Sequence, residues 1–179
     1  KPLGHPPGIR WEYSGGTSNI IARVLRQRLV DERDYLRFPR ERLFEPLGMR
    51  SAVLEPDEAG TFVGSSFMYA SARDWARLGL LFLRDGVWQG RRLLPEGWVA
   101  YSLTPTKGAP DARYGAHVWL KLPDSPQLGE PPMPEDAYYM LGYDEQVVAV
   151  VPARDLVIVR LGLTRDGGTW DHARDLAPI

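Results

Sequence analysis

A tyrosine and a serine, Tyr13 and Ser14, stand together on a glycine-flanked turn in the run Pro7-Gly8-Ile9-Arg10-Trp11-Glu12-Tyr13-Ser14-Gly15-Gly16, where they could do acid–base or nucleophilic chemistry. A glycine-flanked turn before a helix can present a phenol to a cleft, and a tyrosine close to a cation can work as a base. The commoner use of such a turn is to pack a tyrosine and its loop onto a core, and these ten residues alone favour that reading.

Other reaction chemistries find little support. His5, His117 and His172 are far apart, and no H-x-x-x-H pattern or carboxylate cluster surrounds them, so no metal site is expected. A phosphate-binding P-loop, a dinucleotide fingerprint and a G-x-S-x-G elbow are all missing, and no cofactor is expected. Asp171-His172 has the form of an acid–base pair, but its place beside a helix start reads better as capping.

The elements that must position Tyr13 follow from periodicity. Thr17-Ser18-Asn19 offers helix caps, and Ile20, Ile21, Val24, Leu25 and Leu29 then share one helical face. A second helix is predicted from Tyr35 to Leu47, with Pro39 near its start and Gly48 as its stop. Residues 49–70 read as irregular. Ser71-Ala72-Arg73-Asp74 resembles a capping box, and Trp75, Leu78, Leu81 and Phe82 follow at helical spacing until Asp85-Gly86. Gly79 inside that helix costs about 1 kcal/mol against Ala, which predicts close packing there. Val87-Trp88-Gln89-Gly90 reads as a tight connection, and Pro95 to Leu103 as a short helix. The tryptophans at 75, 88, 98, 119 and 170 read as core residues.

The pattern then changes. Residues 104–113 form a loop, Ala116 to Leu122 a strand, and the proline-rich 123–135 a surface loop. Ala137 to Leu141 is a strand. Gln146–Val151 and Leu156–Leu161 form a hairpin with strands buried on both faces, joined by Pro152-Ala153-Arg154-Asp155. A last helix begins at Trp170. Helices followed by an antiparallel sheet give an α+β fold class, divided into a mainly helical region, 1–112, and a sheet region with a terminal helix, 113–179.

Composition bounds the partners. The 179 residues hold 22 basic and 23 acidic side chains, a net charge of −1, which argues against nucleic acid. No apolar run approaches the ~18 residues of a membrane span. The absence of cysteine removes disulfides and any thiolate nucleophile and leaves the compartment open. Glycine and proline number 18 and 16, which fits a loop-rich domain. A start at Lys1 without Met, and an end soon after a helix begins, read as a piece of a longer protein.

Several segments, in order, resemble the serine β-lactamase and penicillin-binding-protein superfamily. The resemblance is to its class C β-lactamase-related branch, with esterases, D-amino-acid peptidases and 6-aminohexanoate-dimer hydrolases. P-G-x-x-W-x-Y-S at residues 7–14 is similar to the branch's second motif region. Phe44-Glu45-Pro46-Leu47-Gly48-Met49 looks like its "PLGM" helix end. The run 70–79 looks like its "S-x-x-D-x-A-R-x-G" helix, and Leu93-Leu94-Pro95 with Trp98 like its "LLP…W" step. Gly142-Tyr143-Asp144-Glu145-Gln146, Pro152 and Asp155-Leu156-Val157-Ile158-Val159 look like its closing hairpin.

The resemblance implies a β-lactamase/transpeptidase-like fold and hydrolysis of a small-molecule ester or amide through an acyl-enzyme. In that scheme the serine of S-x-x-K attacks a carbonyl, while the lysine and the tyrosine of Y-x-N move the proton. Tyr13 matches that tyrosine. Met140 is implied as a backbone oxyanion donor, and Ser14, Ser65, Gly142 and Tyr143 as residues lining the substrate site. Ser65 also reads as part of a turn before the Ser71 cap. Three positions depart from the pattern. Gly15 stands where many members have Asn. Ala137-Tyr138-Tyr139 stands at the counted place of K-T-G or H-x-G. Tyr143 and Glu145 stand where small residues, or His and then Gly, are expected. No serine here is followed three residues later by lysine, so the nucleophile is expected in a preceding N-terminal part, a candidate partner, and the fragment alone is expected to be inactive. The alternative is a penicillin-binding-like scaffold that binds a ligand without turnover.

Overall fold

The computed structural model describes residues 4–29, 31–122, 133–164, 170, 175 and 176. The chain divides into two compact units, one of Tyr13–Leu78 and one of residues 1–12 with 79–179, the division falling within a single helix.

The first unit opens with α1, Gly15–Arg28. Its cap is Ser14, earlier than the Thr17-Ser18-Asn19 expectation, because the Ser14 side chain accepts the Gly16 amide at 3.1 Å and so satisfies a first-turn donor. The packed face of α1 is only partly its apolar one. Ile20, Ile21 and Val24 are exposed, while Leu25 and Leu29 are half-buried on the face that also carries Ser18 and Ala22. A Cβ added at Gly64 would lie 2.9 Å from the Ser18 carbonyl and 3.5 Å from Ala22 Cβ. The buried Tyr35 hydroxyl donates to the Ala22 carbonyl at 3.2 Å.

The second helical stretch starts earlier than predicted. Asp31 caps α2, Glu32–Pro39, by accepting the Arg33 amide at 2.7 Å. Pro39 closes α2 instead of starting a helix, and a wider π-type turn, Arg40–Phe44, carries the chain into α3, Glu45–Leu47. Proline lacks the amide that would bond back to residue 35, so a local change of helical pitch here has a cause. Gly48 ends α3 with φ 75°, the left-handed stop expected of it. Within 49–70, β1, Val53–Leu54, pairs with β2, Met68–Tyr69, and Pro56 and Phe62 make a single bridge. Tyr35, Phe44, Leu47, Met49, Ala52 and Phe62 are buried, and the Tyr35 and Phe62 rings lie 4.8 Å apart.

Helix α4, Ala72–Leu83, follows. Its capping box is half formed. The Ser71 side chain receives the Asp74 amide at 3.4 Å, but the Asp74 carboxylate turns to Ser51 and Arg77, and the Ser71 amide bonds to the Ser51 hydroxyl instead.

In the second unit, β3, Val87–Trp88, and β4, Arg91–Arg92, form a hairpin through Gln89 and Gly90, both with positive φ as its tight turn demands. Helix α5 is Trp98–Ser102, beginning after Gly97 at φ 76° and so three residues later than Pro95 suggested. Trp98 is exposed, a departure from its core reading. Residues 116–122 are not a strand: only Tyr114 and Trp119 make single bridges, since His117 at φ 63° breaks the extended run. Strands β5, Tyr138–Gly142, β6, Gln146–Val151, and β7, Leu156–Arg160, form an antiparallel sheet with β6 central. All but the first residue of β6 are buried, whereas β7 is half-buried throughout, as befits an edge.

The sheet's alternation sends two sets of side chains to two faces. Ala137, Tyr139, Val147, Ala149 and Val151 pack with Leu176, Trp119 and Trp170 on one. On the other, a Cβ at Gly79 would lie 2.6 Å from Val157 Cγ1 and 3.0 Å from Val148 Cγ1, so the predicted close approach at Gly79 is met by the sheet. Residues 123–132 of the predicted 123–135 loop and most of the predicted final helix lie outside the described residues.

Candidate active site

Tyr13 is the last residue before the Ser14 cap, so α1 fixes its place while leaving the side chain out of the core: it is 61% exposed. The phenol is therefore largely open to solvent. Ser14 spends an oxygen lone pair on the Gly16 amide.

Ser65 belongs to the same end of α1. A Cβ on Gly15 would lie 3.0 Å from Ser65 Cβ and 3.2 Å from Ser65 Oγ, so Ser65 occupies the space into which a side chain at 15 would extend. The backbone at Gly15 is helical without positive φ, so conformation does not require glycine there. The neighbour does. Ser65 is fixed by Asn19, whose Oδ1 accepts its amide at 3.3 Å and its hydroxyl at 3.2 Å. Phe67, two residues on, is half-exposed and holds φ 58°, a conformation an aromatic residue rarely adopts.

The sheet unit holds the other predicted residues. Trp119 and Tyr139 exchange both backbone bonds, at 2.9 and 2.7 Å. In an antiparallel ladder successive residues point their amides to opposite sides. Met140, paired with Val148, therefore directs its N–H towards β6, and Leu141 directs its own to the outer edge. Tyr139 and Leu141 both flank Met140 with amides facing away from β6, and that of Tyr139 bonds to Trp119. Ala137, Tyr138 and Tyr139 are buried, and burial pushes the Tyr139 phenol up to about 12 and raises that of Tyr138 as well, with the Asp136 charge adding to the latter. These tyrosines are core groups that stay neutral.

Gly142 ends β5, and Tyr143 stands on the turn into β6 at 87% exposure. Asp144 and Glu145 have φ 54° and 63°, so the turn is one that glycine would accept more readily at 145. It is held from β7. Arg160 donates to the Glu145 carbonyl at 2.6 Å and to the Thr164 hydroxyl at 2.7 Å, and its guanidinium lies 4.1 Å from the Trp170 ring centre. Gln146 bonds to Gly162 through both ends of its amide.

The structure thus gathers Tyr13, Ser14 and Ser65 at one end of α1, and Met140, Gly142 and Tyr143 at one end of the β5–β6 hairpin. Sequence reasoning missed Asn19, Leu141 and Arg160. Asn19 had a signal, its spacing of four from Gly15. Leu141 and Arg160 had none short of the strand register. Among the described residues no group of three or more His, Asp or Glu side chains is placed to hold a metal ion. No helix among them is long and apolar enough to cross a membrane.

Comparison with solved structures finds the same fold. A Bacillus anthracis protein assigned as a 6-aminohexanoate-dimer hydrolase superposes with a TM-score of 0.71 at 24% identity, over 88% of this chain and 39% of that one. A protein of Bacteroides dorei assigned as a β-lactamase gives 0.66 at 17% identity, over 94% and 56%. A β-lactamase of Mycobacterium bovis gives 0.65 at 20% identity, over 86% and 56%. The chain spans from 39% to 56% of the length of these relatives. No curated protein matches it. The family model described as Beta-lactamase matches residues 1–177. With motif order, fold and family model in agreement, this chain belongs to the Beta-lactamase family.

Proposed function

We propose that the whole protein is a serine hydrolase of the class C β-lactamase-related branch, and that this chain is its C-terminal portion. It cleaves a small-molecule ester or amide. The observation that carries the reading is the exposed Tyr13, held at the capped start of α1 in a chain of this family. The nucleophile is the serine of an S-x-x-K segment, which these 179 residues do not contain. Its hydroxyl attacks the substrate carbonyl and gives its proton to Tyr13, acting with the motif lysine. The tetrahedral intermediate collapses to the acyl-enzyme as the leaving alcohol or amine takes that proton. Water then gives a proton to the same base as it attacks the acyl carbon, the bond to the serine oxygen breaks, and the carboxylic acid leaves as that proton returns to the serine.

Negative charge develops on the carbonyl oxygen, and backbone amides stabilise it. Leu141 suits this role better than Met140, because the ladder parity turns its N–H outward. Gly142 and Tyr143 border the substrate, with Arg160 holding the turn. Without a cation or glycine at Ala137-Tyr138-Tyr139, nothing there suits a substrate carboxylate, and a classical β-lactam is not the preferred substrate.

The test is Tyr13→Phe in the whole protein. Turnover of p-nitrophenyl acetate falls by about 10²–10⁴-fold, the usual worth of a positioned proton-transfer group. Turnover at the wild-type rate removes Tyr13 from the mechanism.

A further inference from the structure

Among residues 4–17 every residue is exposed except Trp11, which is half-buried. Residues 10–14 hold no regular secondary structure, and Tyr13 is one of them. An exposed, irregular segment keeps much of its backbone freedom unless something ties it down. Trp11 is that tie. Its ring centre lies 5.7 Å from that of Tyr114, with the planes inclined at 57°. Gly108, at φ 85°, comes close enough that a Cβ added there would lie 3.5 Å from Trp11 Cβ and 3.6 Å from Trp11 N. The loop holding both partners is closed on itself. The Thr106 amide donates to the Tyr114 carbonyl at 2.7 Å, and the Thr106 hydroxyl to the Gly115 carbonyl at 2.9 Å.

The contacts continue into the sheet. Tyr114 meets Trp119 edge-on, with ring centres 4.9 Å apart and planes at 80°, and Trp119 exchanges its backbone bonds with Tyr139 of β5. Trp11 thus stands at one end of a row of contacts whose other end is the outer edge of β5. The whole row lies within the unit that holds residues 1–12, and Tyr13 is the first residue of the other unit. The backbone that carries the phenol runs between two fixed points, Trp11 two residues before it and the Ser14 cap one residue after it.

We propose that Trp11 is a positioning residue for Tyr13. By seating its ring on Tyr114 it fixes the backbone from which the phenol extends, and so the geometry in which Tyr13 exchanges a proton with the nucleophile. This rests on the reading of Tyr13 as the proton-transfer group. A misplacement of about 1 Å can cost about 100-fold in rate. Substrate affinity does not depend on that geometry, so the effect belongs to kcat and not to KM.

The experiment is a double-mutant cycle on the whole protein, with p-nitrophenyl acetate as the probe. Trp11→Ala lowers kcat by about 10- to 100-fold and leaves KM within about twofold. Trp11→Phe, which keeps a ring for Tyr114, recovers most of the loss. In a Tyr13→Phe background Trp11→Ala changes kcat by less than about twofold, because the group it positions is already gone. Tyr114→Leu removes the other ring of the pair and gives the same non-additive pattern, which keeps the test decisive if Trp11→Ala does not fold. Three results overturn the role of Trp11 alone: wild-type kcat in both folded variants, a loss carried by KM, or an equal loss with and without the Tyr13 hydroxyl. Wild-type turnover in Tyr13→Phe itself overturns the reading of Tyr13 and this proposal with it.

Discussion

Asp74 Oδ2 receives both donors of Ser51, the hydroxyl at 2.5 Å and the backbone amide at 2.8 Å, while its Oδ1 pairs with Arg77 at 2.7 Å. One buried carboxylate at the start of α4 thus holds the segment after α3. Burial alone pushes the Asp74 pKa up. The Ser51 hydrogen bonds and the Arg77 charge outweigh it, and the net displacement is below the ordinary carboxylate value of 3.8. A depressed native pKa stabilises the fold above the unfolded value, and that stability disappears as pH falls through the native one. Asp74→Asn is therefore expected to cost about 2–4 kcal/mol near neutral pH and to flatten the acid limb of stability below about pH 4, measured by urea unfolding across pH.

Gly79→Ala is the helix substitution that propensity favours by about 1 kcal/mol and packing opposes. The new methyl would sit 2.6 Å from Val157 Cγ1. Overpacking prevails, with a net loss of about 1–3 kcal/mol in thermal or chemical unfolding, and Val157→Ala in the same chain recovers part of it.

Much of this was legible in the sequence, for identifiable reasons. Gly79 announced its packing because glycine in a helix has a cost that something must repay. The hairpin at Gln146–Arg160 announced itself through two apolar runs and a proline-initiated turn. What escaped depended on partners far along the chain. Of the apolar stripe Ile20, Ile21, Val24, Leu25 and Leu29, only Leu25 and Leu29 are half-buried, on the face where Ser18 and Ala22 meet Gly64. The strand expected at 116–122 failed at one residue, His117, whose positive φ no propensity foretells. Tyr13 and Ser65 were named from motifs as candidates. Asn19 and Leu141 needed a side-chain orientation and a strand register, which sequence periodicity does not supply.

Arg160→Met tests the clamp on the Tyr143 turn. It removes the donors to the Glu145 carbonyl and the Thr164 hydroxyl but keeps an apolar contact for Trp170. The expected loss is about 1.5–3 kcal/mol, with faster amide hydrogen exchange at residues 143–146 than elsewhere in the sheet.

Tyr139→Phe should act at high pH. A phenol raised by burial to about 12 contributes stability that is complete below the unfolded value near 10 and is lost as pH climbs from there towards 12. The variant shows a shallower alkaline loss over that window, followed by circular dichroism.

The central claim is that Tyr13 serves a serine nucleophile outside these 179 residues. Intact-mass and peptide mass spectrometry of the whole protein after treatment with a fluorophosphonate tests it most directly. The account predicts one adduct, on the serine of an S-x-x-K segment, forming far more slowly in Tyr13→Phe. No adduct, or an adduct on a serine within residues 1–179, would contradict it.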